Sequence, residues 1–379
     1  MQIETLISHG NPEKELASSK LRDATVVLYF LSPAYPDKDA YLKALYIAYP
    51  GARLLGCTTS GEICGKEALS GTAISTAIKL QHTSIKIAST SVDNIHDSLG
   101  AGKKLASELN LPQLRLLFVL SDGLCVNGSD LVTGLSENLP EGITITGGLA
   151  GDGSSFKQTG IGVDGLPISG KVAAIGFYGD RFKVSCGSVG GWLKFGPERT
   201  ITRSHENIIY ELDEKPALEL YKKYLGDEAQ NLPGSGLLFP LSIRPDSKSP
   251  HDIVRTIVGI DEKENSLIFA GDVPQGYIAQ LMRGSSDNLV DGAIEAATIA
   301  RESLKGNSAN ASLGILVSCV GRNLLMGQSV SDEVEAVKTI LGETQLTGFY
   351  SYGEICHHPI THQCSLHNQT MTITLIAEA

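Results

Sequence analysis

Two stretches far apart in the chain end in the same turn. "GCTTSGEIC" runs from Gly56 to Cys64 and "GFYSYGEIC" from Gly348 to Cys356, and both read G-x4-G-E-I-C. The residues before them also follow one order. "VVLYFLS", Val26 to Ser32, is a short apolar run rich in β-formers and reads as a buried strand. "DAYLKALYIAY" from Asp39 places Leu42, Leu45 and Tyr46 at helical spacing, and Pro50-Gly51 stops it. "RLLG" is a second strand that runs into the turn. Near the C-terminus, "LGILVSC" from Leu313 is a strand and "SDEVEAVKTILG" a helix with Ser331 as cap and Gly342 as stop. "QLTG" then leads into the second turn. A weaker middle copy has "LRLLFVLSDG", "GSDLVTGLSENLP" and "ITITG", followed by "GLAGDG" from Gly148 to Gly153 with the same G-x4-G spacing. Gly at both ends of a tight turn permits positive φ and close backbone approach.

These units predict an α/β fold with mixed sheets. They imply two similar lobes, each built from strand–helix–strand units with helices packed on the sheets, the outer copies related by an approximate two-fold axis. The 379 residues are too many for one ordinary core and agree with two domains. The segment from Glu206 reads as a helix broken at Pro216, which places the boundary between residues 1–203 and 204–379. Clefts between lobes favour small ligands.

Several function classes are disfavoured. A formal charge of −11 with no basic patch argues against nucleic-acid binding. The opening "MQIETLISHGNPEKEL" lacks the apolar core of a signal peptide, and no apolar run is long enough for membrane insertion. Seven cysteines, mostly in apolar strand contexts, read as reduced and cytoplasmic. "GGLAGDG" is followed by a polar, turn-rich stretch rather than a helix, so it is no dinucleotide fingerprint, and there is no P-loop lysine. Glu62 and Glu354 close the two G-E-I turns. A carboxylate pair could serve a hydrolase as acid and base, but neither turn has the G-x-S-x-G elbow that would supply a nucleophile. The expectation is that the protein is not an enzyme and that these carboxylates pin the turns or orient a ligand.

The chain resembles the FIST sensory family, with an N-terminal and a C-terminal FIST domain. The N-terminal resemblance lies in "GCTTSGEI", "GGLAGDG" and "GGWLKFGPERTITRS". The C-terminal one lies in "YELDEKPALELYKKYLG", "LFPL", "VRTIVGID", "FAGDVPQG", "LVSCVGR" and "GFYSYGEI". The closing "CSLHNQTMTITLI" is similar to a bacterial branch that binds haem and senses nitric oxide beside a histidine kinase. This resemblance implies a sensor that responds to a small gaseous or metabolite ligand. Its partner would be a histidine kinase or a cyclic-di-GMP enzyme, and a homodimer is allowed. The haem would be haem b, held non-covalently because no C-x-x-C-H is present. His367, His358, His357, Gly348, Tyr350 and Tyr352 are the residues placed at that cofactor, with His367 on the iron. A haem-free sensor of a metabolite such as an amino acid is the alternative.

The stretch "CHHPITHQ" departs from the family pattern, so its histidines inherit no role. "LHNQTMTITLI" alternates as a strand, so His367 has the parity of Met371, Ile373 and Leu375 and points toward the apolar side at the strand's entrance. There it could ligate a ferrous haem, or it could be a core histidine bonded to a backbone carbonyl. Cys356, His358, His362 and Cys364 offer a donor mix that suits zinc, although C-x-H-x3-H-x-C is not a common zinc spacing.

Overall fold

Val26–Leu31 is a strand with every side chain buried, as a continuous apolar run flanked on both faces requires. It pairs in parallel with Arg53–Thr58 across the helix Lys38–Ala48. Asp37 caps that helix by accepting the Ala40 N–H. Its buried stripe is Tyr41, Ala44, Leu45 and Ala48, whereas Tyr46 faces outward and donates to the Asp164 carbonyl.

A computed structural model describes residues 1–249, 252–305, 311–357 and 363–379. Within them the strand–helix–strand motif occurs at two further places. Leu114–Ser121 and Thr144–Leu149 are joined through Gly128–Ser136, and Leu313–Cys319 and Gln345–Ser351 through Val330–Leu341. Each parallel pair is extended on one side by two antiparallel strands in the same order. The outer strands are Gln2–Ser8, Ser84–Ser91 and Phe182–Val189; the inner ones are Ala73–Lys79, Lys171–Tyr178 and Met371–Glu378. The fold is therefore mixed α/β with helices packed on the sheets, as expected, and the middle copy is a full member of the repeat.

The units are tied together by arms. Just past each second parallel strand the chain leaves its own sheet and adds to a neighbour's. Glu62–Cys64 joins the third sheet, Gly353–His357 the second, and Ile161–Val163 the first. At the base of these arms the backbone bonds run in a ring. Ser60 N–H donates to Tyr350 O (2.8 Å), Tyr352 N–H to Leu149 O (3.1 Å) and Gly151 N–H to Thr58 O (3.1 Å). A cycle of three replaces the two-fold relation expected for the outer pair, because a two-fold would make the arms reciprocal.

The ring also corrects the middle register by one residue. A Cβ on Gly56, Gly147 or Gly348 would stand 2.3, 1.8 or 1.8 Å from the carbonyl oxygen of the strand beside it. The structural counterpart of the outer turns thus begins at Gly147, not Gly148, and Asp152 stands where the others have Gly61 and Gly353. Ser331 is not a helix cap: the helix starts at Val330, and the Ser331 hydroxyl accepts the Ala68 N–H of the first unit's arm. Gly342 does stop this helix, at φ 58°, with its N–H on Lys338 O.

Between Phe182–Val189 and the helix Ser286–Lys305 the chain builds a separate antiparallel sheet over its own core, which includes Ile201, Ile209, Leu241, Ile257 and Phe269. The boundary drawn at 203/204 falls inside its strand Arg199–His205. The segment from Glu206 is a strand, Ile208–Leu212, and the helix begins only at Ala217, just after Pro216. The β-branched "II" favours the strand, and Pro fits the edge of a helix rather than its interior. Among the described residues, no helix is long and apolar enough to cross a membrane.

Candidate functional site

A cavity of about 250 Å³ lies where the second and third units meet the inserted sheet. Its floor comes from the carboxyl ends of parallel strands, the usual place for a ligand in such sheets. Leu124 and Asn127 follow Leu114–Ser121, Val320 follows Leu313–Cys319, and Leu149 and Tyr352 come from the ends of the second strands. Its cover is Glu206–Asn207, Thr256, Val258 and Phe269–Gly271 from the inserted sheet, with Ile95 and His96 from the second unit.

One wall is rigid. Phe156 stacks on Tyr352 with ring centroids 4.6 Å apart and planes within 12°. The Tyr352 hydroxyl donates to the Asp152 carboxylate, which also accepts the N–H groups of Phe156, Lys157 and Gln158 at 2.8–2.9 Å. Burial raises the Asp152 pKa, but Tyr352 and these three donors outweigh it and hold the carboxyl below its usual range. Asn127 caps the helix Gly128–Ser136 through Oδ1, and its Nδ2 donates to Asp272 at 3.2 Å. Asp130, in the first turn of that helix, has its carboxyl pushed up by burial and by the charges of Asp272 and Glu206.

Of the residues expected at a cofactor, Tyr352 lies on this cavity. Gly348 has no room for a ligand, as its contact with Leu316 shows. Tyr350 is fully buried in the third unit's core and donates to Glu333 at 2.8 Å. Glu333 also pairs with the fully buried Arg322 at 2.7 Å. His357 Nε2 accepts the Ile145 N–H at 3.1 Å. His367 Nε2 lies 3.1 Å from both Ser365 Oγ and Cys356 O, the carbonyl-bonded arrangement of a structural histidine.

The parity reading of His367 does not hold. Cys364–His367 belongs to the second unit's sheet and Met371–Glu378 to the third's, with a turn at 368–370 in which Gln369 has φ 65°. Asn368 is buried rather than on an opposite, open face. The Nε2 atoms of His357 and His367 are both engaged by the fold. His357 and Cys364 line a separate cavity of about 730 Å³ with Leu139, Ile143 and Ile145.

His358 and His362 lie outside the described residues. Of the other two residues considered for zinc, Cys356 pairs across the ladder with Ser365, and Cys364 with His357. Cys356 and Cys364 therefore point to opposite faces of the sheet. The Cys356 thiol hydrogen-bonds Cys186, and Cys364 Sγ lies 3.7 Å from Ile145 O. Among the described residues, no three His, Cys, Asp or Glu side chains are grouped to hold a metal.

Glu62 and Glu354 are fully buried and occupy equivalent places. Thr59 and Thr72 surround the first, Ser351 and Thr370 the second, and in each case the threonine also gives its backbone N–H. Each carboxyl thus ties the departing arm to the strand that follows it. In the middle unit, whose corresponding turn carries no Glu, Asp122 accepts the Gly170 N–H at the corresponding strand start.

Sequence reasoning did not reach most of the cavity. Its usable signal was the polar turn "SDGLCVNGSD" directly after a buried strand, the sequence form of a strand's carboxyl end. The contribution of the inserted sheet had no local signal.

The FIST N domain family matches residues 25–215 and the FIST C domain family residues 217–357. No curated protein matches the chain. Among solved structures, a cyanuric acid hydrolase from A. caulinodans is similar at a TM-score of 0.41 and 7% identity, over 100% of this chain and 98% of that one. A chorismatase is similar at 0.37 and 9%, over 99% and 98%.

Proposed function

The chain belongs to the FIST family, and from that premise we propose that it senses a small metabolite in the cavity between its repeat body and its inserted sheet. FIST domains are sensory domains of signal transduction that bind small ligands. The observation that carries the proposal is the shared lining. Tyr352 and Val320 belong to the body, and Thr256 and Phe269 to the inserted sheet. A ligand that touches both stabilises one arrangement of the two over others, which is what a sensor requires. We place a small metabolite in this cavity rather than haem at His357 and His367, whose Nε2 atoms already bond within the fold. The output is a changed surface for a cytoplasmic partner such as a histidine kinase or a cyclic-di-GMP enzyme.

The test is a thermal-shift screen of amines, amino acids, sugars and organic acids on the full chain. A ligand at 100 times its Kd adds about 2.7 kcal/mol of stability. Val258, half-buried on the cavity wall, can be replaced by Trp to fill the space. Hits should be lost in Val258→Trp. Hits that survive it place the ligand elsewhere and overturn the proposal.

A further inference from the structure

The charges around the cavity select a ligand class. Asp130 and Glu206 line it, and Asp272 stands behind Asn127. Against these three carboxylates there is one histidine, His96, 3.8 Å from Glu206. Neither Lys nor Arg is among the described lining residues. The nearby Arg255 is buried, and its guanidinium donates to the carbonyls of Asp272, Val254 and Leu366; its charge offsets that of Asp272 and leaves Asp130 and Glu206 as the carboxylates on the cavity wall.

Donors for an anion are also taken. Asn127 occupies the Ser129 and Asp130 N–H groups, and Asp122 those of Leu124 and Cys125. Thr256 also lines the cavity; it is 3% exposed, and its hydroxyl is buried without a hydrogen-bond partner. The remaining wall is apolar and aromatic: Leu124, Val126, Phe156, Val258, Phe269 and Tyr352.

We propose, resting on the sensor reading above, that the cavity takes a small organic ammonium with an aromatic or aliphatic body and no carboxylate. The ammonium sits by Asp130 and Glu206, and the body lies against the Phe156–Tyr352 stack. At about 250 Å³, just under the roughly 300 Å³ at the low end for drug-sized ligands, the cavity suits a small body such as a phenylalkylamine.

Calorimetry on the full chain at pH 7 compares three probes: 2-phenylethylamine, its neutral N-acetyl derivative, and phenylalanine. The amine should bind one to one. The amide and the amino acid should bind at least about tenfold more weakly, since a hydrogen bond to a charged group contributes about 1.5–3 kcal/mol. The double variant Asp130→Asn, Glu206→Gln should weaken the amine by at least about tenfold, and Val258→Trp should abolish its binding. If the amide or the amino acid binds as tightly as the amine, or the double variant is unchanged, the ammonium proposal is overturned while the cavity sensor stands. If none of the three binds up to about 10 mM, well above the millimolar range of weak ligands, the proposal is overturned for this class. The wider screen then decides the sensor reading on its own.

Discussion

Glu354 should make the protein less stable as pH rises, and Glu354→Gln should remove that effect. The side chain is fully buried, and burial raises its pKa from 4.5 to about 8, with Ser351 and Thr370 pulling it down less strongly. The geometry independently favours the neutral acid. Ser351 Oγ lies 2.6 Å from Glu354 Oε1 and 3.2 Å from Ser318 O, and one hydroxyl proton cannot serve both. If Glu354 is protonated, it donates to Ser351, which donates onward to Ser318. The folded state then keeps a proton that the unfolded chain releases above pH 4.5, so stability is complete below that pH and declines until about pH 8. The span from 4.5 to about 8, at about 1.36 kcal/mol per factor of ten, is on the order of 5 kcal/mol. Gln keeps the shape, donates to Ser351 and accepts from Thr370, with no charge to desolvate. Urea midpoints of wild type and Glu354→Gln from pH 5 to pH 8.5 test this, the difference cancelling groups common to both. The variant should match wild type near pH 5 and exceed it by several kcal/mol near pH 8. Parallel profiles, or a variant less stable than wild type at pH 8, would refute the reasoning.

Arg322→Met should cost about 3–5 kcal/mol by leaving Glu333 charged and buried without its partner, and Arg322→Met with Glu333→Leu should recover most of that in urea denaturation. Gly348→Ala should prevent folding, because its Cβ would meet the Leu316 carbonyl at 1.8 Å; a soluble variant with wild-type circular dichroism would contradict this. Haem added to the reduced protein should give no saturable Soret band, and a saturable band that disappears in His367→Ala would restore the haem assignment. His367→Ala itself should stay folded, losing about 1 kcal/mol for the hydrogen bonds of one half-buried side chain, as urea titration can measure.

Much of each repeat unit was legible from local pattern. The buried strands at Val26 and Leu313, the helices after them and the stop at Gly342 follow from runs of β-formers, 3.6-residue spacing and the freedom of glycine at positive φ. The shared G-E-I turns marked the duplication and the place of Glu62 and Glu354. Local pattern could not say which sheet edge an arm would join, because pairing depends on which backbone edges remain open after every unit has formed. For that reason the sequence suggested an outer pair, while tertiary structure made a ring of three and set the middle register at Gly147. His367 shows the same limit at one residue. Alternation assigns it a face only if the strand continues, and the turn at Gln369 sends the two halves of "LHNQTMTITLI" into different sheets. The cavity needed segments as far apart as Ile95, Leu124, Glu206, Phe269, Val320 and Tyr352 to meet, and no periodicity within any one of them encodes that meeting.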